Sequence, residues 1–335
     1  MVNFLGQLEN PQFNFMFFYE VMRDFRKGGL NPTNYDDFVD TIKRLPALNI
    51  RKITDYNIFD SFNFTNITED DFQAIMREIT KRSIELSKTC WHPEAGPQTC
   101  KVDAKGRVII SAAHSIQNNG ILNKIAESGH VTGYSLDKAE FDGKNIGKNI
   151  ASIFWGFCNI HDAIFNPIEK APYIKTVEQN FLFAYRGFVV SSHKKKEVSN
   201  WINYGEQAEN DIVQNKKIFD AAIINKDYSI IETAIFELPA FYPIAVSSAF
   251  YLDFDFEGNP ITHSEERIEE IFVSLFPDNN KTYFLLSYFV EDIALYGRLG
   301  GDSDKCDHTI SAQADHPFRG KLTRAFRGKL THQNE

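Results

Sequence analysis

The stretch GFCNIHDAIF, residues 156–165, places Cys158, His161 and Asp162 close together in a chain that has four cysteines among its 335 residues. A cysteine and a histidine separated by two residues can reach one metal ion from a single tight turn, which is the geometry of a zinc knuckle. The aspartate that follows offers a hard oxygen ligand of the kind that Mg²⁺ prefers. The stretch therefore predicts a structural zinc site with a second, catalytic metal position beside it.

Two further cysteines, Cys90 and Cys100, lie upstream on either side of the loop WHPEAGPQT. The proline and glycine residues of that loop can turn the chain so that the two sulfurs approach each other. The gap of nine residues is longer than the usual two to four, and a free cysteine also packs readily as a small buried hydrophobe. The predicted zinc ligands are Cys90, Cys100, Cys158 and His161.

The composition describes a folded globular protein rather than a disordered chain, since 43% of the residues are hydrophobic and 14% are aromatic. A formal net charge of −9 argues against a generally basic nucleic-acid binder, although it leaves room for a local basic face. The N-terminus MVNFLGQLENPQFNFMFF lacks the pattern of a signal peptide, and no apolar run is long enough for a membrane span. We expect a cytoplasmic protein, where thiols stay reduced and can bind metal.

Changes in sequence pattern divide the chain into four parts and predict an α+β fold. Residues 1–88 repeat apolar positions at helical spacing and predict a helical N-terminal region that ends near Lys88. Residues 89–170 predict a small, irregular module that is rich in candidate zinc ligands, and residues 171–300 predict a C-terminal mixed α/β layer. Residues 301–335 repeat FRGKLT in a basic tail, for which we expect disorder, with a nucleic-acid tether as the alternative.

Helix and strand patterns within the C-terminal layer are distinct. TVEQNFLFAYRGFVV carries Phe181, Tyr185 and Phe188 at spacings of four and three, which predicts a helix packed on the core. Beyond residue 244 the sequence predicts a strand in IAVSSAFYLDFDF, a turn in EGNP, a helix in SEERIEEIFVSLF and a strand in DNNKTYFLLSYFV. The basic run HKKKE, residues 193–197, predicts a solvated surface, with nucleic-acid contact as the alternative.

The zinc module itself contains a predicted hairpin in KVDAKGRVIISAA, with its turn at residues 104–106, and a short helix in NNGILNKIAESG. His114 follows the hairpin at the end of a strand. A neutral imidazole can accept a proton near pH 7, so His114 is a candidate general base. It could equally be a further zinc ligand or a structural histidine.

Along the chain come a cysteine pair, a hairpin, His114 at a strand end, a helix, the second ligand pair and then Asp162. This order resembles the treble-clef, or ββα-metal, nucleases of the HNH class. That resemblance implies that His114 activates the attacking water, that Asp162 helps to bind a catalytic Mg²⁺ ion and that Asn118 orients the base. Two departures are visible: Ala113 precedes His114, where that class often has an acidic residue or a histidine, and the interval from His114 to Cys158 is long for the class.

The stretches AHSIQNNGILNKIAESGHV, GFCNIHDAIFNPIE, EQNFLFAYRGF and FDFEGNPI also resemble a widespread group of uncharacterised bacterial proteins. This resemblance covers about Cys90 to Tyr288 and implies one architecture for the module, the helix and the α/β layer. A setting in phage defence would suit such a nuclease.

Two hypotheses about function follow. The first is a metal-dependent nucleic-acid phosphodiesterase with a structural Zn²⁺, a catalytic Mg²⁺ and basic side chains on the hairpin, Lys101, Lys105 and Arg107, that contact phosphates. The second is a non-catalytic, zinc-stabilised recognition or effector protein that binds nucleic acid, another protein, a further copy of itself or a small signal.

Several other residues are weaker metal-ligand candidates. Glu140 and Glu169 could supply a missing ligand, although surface carboxylates are usually solvated. The remaining candidates are the alternating acidic residues at a predicted strand end and one pair in the tail: Asp253, Asp255 and Glu257, and Cys306 with His308.

Overall fold

The computed structural model describes residues 81, 83–133, 144–199, 205–255 and 258–299. The predicted N-terminal helical region, apart from residues 81 and 83–88, and the predicted basic tail lie outside the described residues. Residues 83–87 are helical and end shortly before Cys90, where the sequence predicts the end of a helix. The described residues up to Leu295 belong to one compact unit, and residues 296–299 belong to a second one.

An antiparallel pair of strands forms the centre of the predicted metal module. Strand β1 (Ser111–His114) pairs with β4 (Ile153–Phe157). Between them the chain forms a helical turn at Asn118–Leu122, which continues as an α-helical turn at Asn123–Ile125. A second hairpin follows, in which the strands His130–Gly133 (β2) and Lys144–Gly147 (β3) pair with each other. The predicted strand before His114 and the predicted short helix are thus confirmed.

The predicted hairpin turn before β1 is also present. Val102 bridges Val108, and Gly106 at the turn has a φ of +74°, a left-handed conformation that favours glycine. Asp103 accepts hydrogen bonds from the backbone N–H groups of Lys105 and Arg107, at 2.8 Å and 3.0 Å. This turn delivers the chain from Cys100 to β1.

Two long helices follow the module. Helix α1 spans Val177–Ser199 and α2 spans Gly205–Asn225. Tyr185 and Phe188 of α1 are fully buried, as the predicted stripe requires. The remaining short helices lie at His161–Phe165, Asn166–Glu169, Tyr228–Ile230, Val290–Asp292, Ile293–Tyr296 and Gly297–Leu299.

A four-stranded antiparallel sheet completes the described fold. Its strands are β5 (Ile231–Leu238), β6 (Val246–Phe250), β7 (Ile271–Asp278) and β8 (Lys281–Phe289), in the spatial order β5-β8-β7-β6. Helix α1 packs on this sheet and also on β4 of the module. Helices together with antiparallel sheets make the protein α+β, as predicted.

Aromatic side chains fill the space around α1. Tyr185 lies 6.2 Å from Phe157 of the module, and Phe188 lies 6.2 Å from Phe272 of the sheet, measured between ring centroids. Phe219 of α2 packs between Phe188 and Phe272. Each fully buried side chain of this size contributes about 1.5–3 kcal/mol relative to exposure. One continuous core therefore links the module to the sheet.

The predicted helix in SEERIEEIFVSLF is wrong. Residues 265–270 have no regular structure, and IFVSLF belongs to strand β7. Because β7 pairs with β6 on one edge and with β8 on the other, most of its residues are buried on both faces of the sheet. A central strand of this kind reads as a continuous apolar run, which periodicity cannot distinguish from a buried helix. The pair Asn279 and Asn280, both at positive φ, then forms the turn of the β7–β8 hairpin.

The basic run of α1 is less solvated than predicted. His193 is fully buried, and its Nδ1 accepts a hydrogen bond from the indole N–H of Trp91 at 3.2 Å. Lys194 pairs with Glu197 at 2.7 Å, and Lys195 pairs with the buried Glu270 at 2.8 Å. These charges contribute to packing between α1 and its neighbours, rather than forming an open basic surface.

Gly187 provides a test of the packing between α1 and β6. A Cβ atom at this position would lie 2.6 Å from the backbone oxygen of Ser248. Helix propensity alone predicts that Gly187→Ala stabilises the protein by about 1 kcal/mol. We expect instead a loss of about 1–3 kcal/mol, because the strand must move away from the helix. Urea unfolding followed by circular dichroism measures the difference, and a gain in stability would contradict this close approach.

Candidate metal centre

Strand β4 positions the first and third cysteines. On the edge away from β1, the backbone N–H groups of Thr89 and Trp91 donate to the carbonyls of Trp155 and Gly156, at 3.2 Å and 2.9 Å. Cys90 lies between those two hydrogen bonds, and Cys158 follows the strand directly. The chain therefore brings together two sulfurs that are far apart in sequence.

The loop after Cys90 returns the chain to the same place. The N–H of Ala95 donates to the carbonyl of His92 at 3.0 Å, and the N–H of Cys100 donates to the carbonyl of Gly96 at 2.8 Å. These turns close the long gap that the sequence left unexplained, and they bury Cys100 at the end of the loop.

The segment CNIH forms a tight turn after β4. The N–H of Asp162 donates to the carbonyl of Cys158 at 3.0 Å, and the N–H of His161 lies 3.4 Å from the Cys158 sulfur. His161 begins a short 3₁₀ helix, and its side chain is buried. Its Nδ1 atom faces the cysteines, so the turn presents one sulfur and one imidazole nitrogen to a common point.

The four predicted donors lie together. Their ligand atoms are all within 4.8 Å of one another. The Nδ1 atom of His161 is 3.5 Å from the sulfur of Cys90 and 3.3 Å from those of Cys100 and Cys158. Zinc-ligand bonds of about 2.3 Å to sulfur and about 2.05 Å to nitrogen would place the two donors about 3.6 Å apart in a tetrahedron. The donors are therefore spaced as one bound metal ion requires.

The three thiols differ in how easily they ionise. Burial, with a smaller contribution from the neighbouring sulfurs, raises the pKa of Cys90 to about 12, although backbone hydrogen bonds act in the opposite direction. Burial likewise raises the pKa of Cys100. Burial also acts on Cys158, but the backbone N–H of His161 and the other cysteine side chains outweigh it and lower the pKa of that thiol. Cys158 thus ionises first, and the other two thiols keep their protons until a cation replaces them.

His114 lies at the end of β1, the strand that pairs with β4, and β4 leads into the metal centre. Its Nδ1 is 3.0 Å from the carbonyl oxygen of Ala151 and 3.4 Å from the hydroxyl of Ser152. Because a carbonyl can only accept, Nδ1 carries the proton and donates it, so the lone pair of the neutral ring is on Nε2. This tautomer can accept a proton through Nε2.

Asp162 and Glu169 form a pair of carboxylates on the helical segment after the knuckle. Burial raises the pKa of Asp162, and the charge of Glu169 raises it further, whereas Arg186 and His114 lower it. Glu169 is only 25% exposed at its side chain and binds Arg186 of α1 at 2.5 Å. Glu169 is therefore not the solvated surface carboxylate that the sequence suggests.

Arg186 is a functional candidate that sequence reasoning missed. It is 2% exposed, and its guanidinium lies 4.3 Å from the ring centre of Phe165. One signal was available: a charged residue stands in the buried stripe between Tyr185 and Phe188, and arginine is almost never buried without a partner. That partner, Glu169, could not be identified from spacing alone.

Asn118 does not form a hydrogen bond with the candidate base. Its side-chain N–H₂ donates to the amide oxygen of Asn149 at 3.2 Å, while Ala151 and Ser152 contact His114. In the part of the chain that the structure describes, the groups of three or more donors within 4.8 Å include neither His114 nor Asp162. The metal centre and the candidate catalytic residues are thus neighbouring but separate sets.

The remaining candidate residues have varied surroundings. Arg107 pairs with Asp103 at 2.7 Å, while Lys101 and Lys105 are exposed. Asp255 caps a turn by accepting the backbone N–H of Asn259 at 2.7 Å. The candidates outside the described residues are Glu140, Glu257, Cys306 and His308.

Comparisons with known proteins give no relative for this chain. No family model, curated protein or solved structure matches it. Within the described ranges, no helix combines the length and the apolarity that crossing a lipid bilayer demands. Any functional assignment therefore depends on the geometry of the chain itself.

Cys158→Ser tests the four-donor centre. We expect loss of bound metal and a lower melting temperature, because the binding free energy of a structural metal is coupled to folding. Metal analysis of the purified variant measures the first effect and a thermal melt the second. Cys306→Ser is the matched control and should keep its metal, since the four donors are complete without it. A full metal complement in Cys158→Ser would place the ligands elsewhere.

The raised thiol pKa values predict a steep pH dependence of metal affinity. Cys90 and Cys100 are protonated without metal at neutral pH and must release two protons on binding, so affinity rises with pH. Each displaced proton adds about tenfold per pH unit, so these two thiols give at least about 100-fold per unit above pH 7. Burial lowers the pKa of His161, so this ring is already neutral above pH 7 and does not add to the slope. Chelator competition from pH 7 to 8 measures the slope, and a flat profile would rule out thiol ligands.

Proposed function

We propose that the protein is a metal-dependent nucleic-acid phosphodiesterase in which a structural zinc ion stabilises the β1–β4 strand pair. The donor set of three thiolates and one imidazole, spaced for a tetrahedron, is the kind that zinc occupies in closed structural sites. All four donors come from the protein, so no position is left for water or substrate. The zinc ion would therefore stabilise the fold and take no part in the chemistry.

The observation that carries the catalytic proposal is the hydrogen bonding of His114. The carbonyl of Ala151 binds its Nδ1–H, which fixes the ring and leaves Nε2 as the proton acceptor. No hydrogen-bond partner of Nε2 is present among the described residues. A histidine oriented in this way by a backbone carbonyl is prepared to act as a general base.

Asp162 supplies the second catalytic element of the proposal. It is a half-buried carboxylate close enough to His114 and Arg186 for their charges to lower its pKa. Asp162, with Glu169 beside it, would hold a divalent cation such as Mg²⁺, which stabilises negative charge on a phosphate oxygen.

The reaction would proceed by attack of water on phosphorus. His114 Nε2 accepts a proton from the water as its oxygen bonds to phosphorus. The bond from phosphorus to the leaving oxygen of the chain breaks, and that oxygen takes up a proton from solvent. Lys101 and Lys105, exposed on the turn before β1, are available to contact neighbouring phosphates.

One observation favours a second candidate function, that of a non-catalytic recognition or effector protein. Ala113, which precedes the candidate base, is 2% exposed and packs in the core. It offers no ligand where a nuclease of the HNH class often has one. In this alternative the metal centre only shapes a surface that binds nucleic acid, protein or a small signal.

Plasmid nicking and RNA cleavage with added magnesium test the catalytic proposal. We expect His114→Ala to lower the cleavage rate about 100-fold or more, because it removes the general base. His130→Ala is the matched control, since His130 is exposed at the start of β2 and its Nδ1 lies 3.0 Å from the carbonyl oxygen of Ser128. Both variants should keep the wild-type metal content. Cleavage that survives in His114→Ala would remove this residue from the chemistry, and no cleavage by wild type would favour the second function.

A further inference from the structure

A second group of donor residues lies on the solvent side of the metal centre. His92 and Glu94, from the loop after Cys90, have ligand atoms that lie within 4.8 Å of each other and of His161. His161 is buried, His92 is half-buried and Glu94 is exposed. The group therefore extends from the buried metal ligand to the surface.

His161 has one nitrogen that the metal centre does not use. Its Nδ1 is within 3.5 Å of all three sulfurs, so Nδ1 is the atom that would bind the metal. In a neutral imidazole bound through Nδ1, the proton is on Nε2. Metal-bound histidines almost always donate that second N–H to a carboxylate, a carbonyl or water, and the partner fixes the orientation of the ring.

His92 stacks on the His161 ring and holds its plane, but His92 is not itself suited to be a metal ligand. The two rings are stacked, with centroids 4.2 Å apart and planes within 5°. His92 Nδ1 accepts the backbone N–H of Glu94 at 3.2 Å, so the proton of the neutral ring is on Nε2. Neither nitrogen of the neutral ring therefore offers a free lone pair to a metal ion. This argues against a second metal ion at the group.

Glu94 supplies the only carboxylate of this group. Its carboxylate lies within 4.8 Å of a ring nitrogen of His92 and of His161. The turns that place it, through Ala95 and Gly96, belong to the same loop that delivers Cys100 to the centre. The position of Glu94 is therefore tied to the metal ligands by the backbone.

We propose that Glu94 is the outer positioning residue of the metal centre, and that its carboxylate accepts the Nε2–H of metal-bound His161 while His92 holds the ring by stacking. This inference rests on the metal centre of the proposed function and does not depend on nuclease activity. A carboxylate in this position makes Nδ1 a stronger ligand and slows the release of the metal.

Metal affinity and release rate of the full-length protein test the proposal. We expect Glu94→Ala to bind zinc about 10- to 100-fold more weakly than wild type in chelator competition, mainly through faster release. Glu94→Asp should recover part of the loss, because it keeps the carboxylate. Glu127→Ala removes an exposed carboxylate from the segment between β1 and β2 and should bind as wild type does. With zinc in excess, all variants should melt at similar temperatures, which separates positioning from a general role in folding.

The outcomes distinguish this proposal from the one on which it rests. If wild type binds zinc and Glu94→Ala has the same affinity and release rate, the role of Glu94 is wrong while the metal centre stands. If Glu94→Ala and Glu127→Ala weaken binding equally, the effect is one of net charge and the specific contact is refuted. If wild type binds no zinc, both the centre and its outer residue are refuted.

Discussion

Strand β4 is hydrogen-bonded along both edges, to β1 on one side and to residues 89–91 on the other, and it runs directly into Cys158. This pairing places the sulfurs of Cys90 and Cys158 together, and the turns of the loop add Cys100. Two thiolates about 4 Å apart repel each other by about 4 kcal/mol at an effective dielectric constant near 20. Without a metal ion the raised pKa values keep Cys90 and Cys100 protonated, whereas three ionised sulfurs could share this space only around a cation.

The β1–β4 strand pair connects the metal centre to the residues of the proposed chemistry. His114 ends β1, and Asp162 follows the last metal ligand, so a metal that fixes the β4 turn also fixes both residues. Helix α1 supports the arrangement from the other side: the Tyr185 hydroxyl donates to the carbonyl of Trp91 at 3.2 Å, and Arg186 binds Glu169. A rigid base and carboxylate are what general acid–base catalysis requires. Glu94 and His92 would orient the His161 ring from the solvent side of the metal centre.

Local patterns in the sequence predicted the donors, the hairpin and helix α1, because each depends on spacing within a short segment. CNIH forms its own turn, and Phe181, Tyr185 and Phe188 share one face of a helix wherever that helix packs. Contacts between distant segments could not be predicted. The segment IFVSLF became a central strand because β6 and β8 flank it, and Arg186 is buried because the fold supplies Glu169. Likewise Asn118 forms a hydrogen bond with Asn149, and not with His114, because of the path of the chain between β1 and β4.

X-ray absorption at the zinc edge of the purified protein tests the central claim most directly, because it reports the ligand atoms without any substitution. A closed centre formed by Cys90, Cys100, Cys158 and His161 predicts three sulfur neighbours at about 2.3 Å and one nitrogen at about 2.0–2.1 Å. A protein without zinc, or a first shell of nitrogen and oxygen alone, would contradict the claim and remove the basis for the metal-stabilised hairpin.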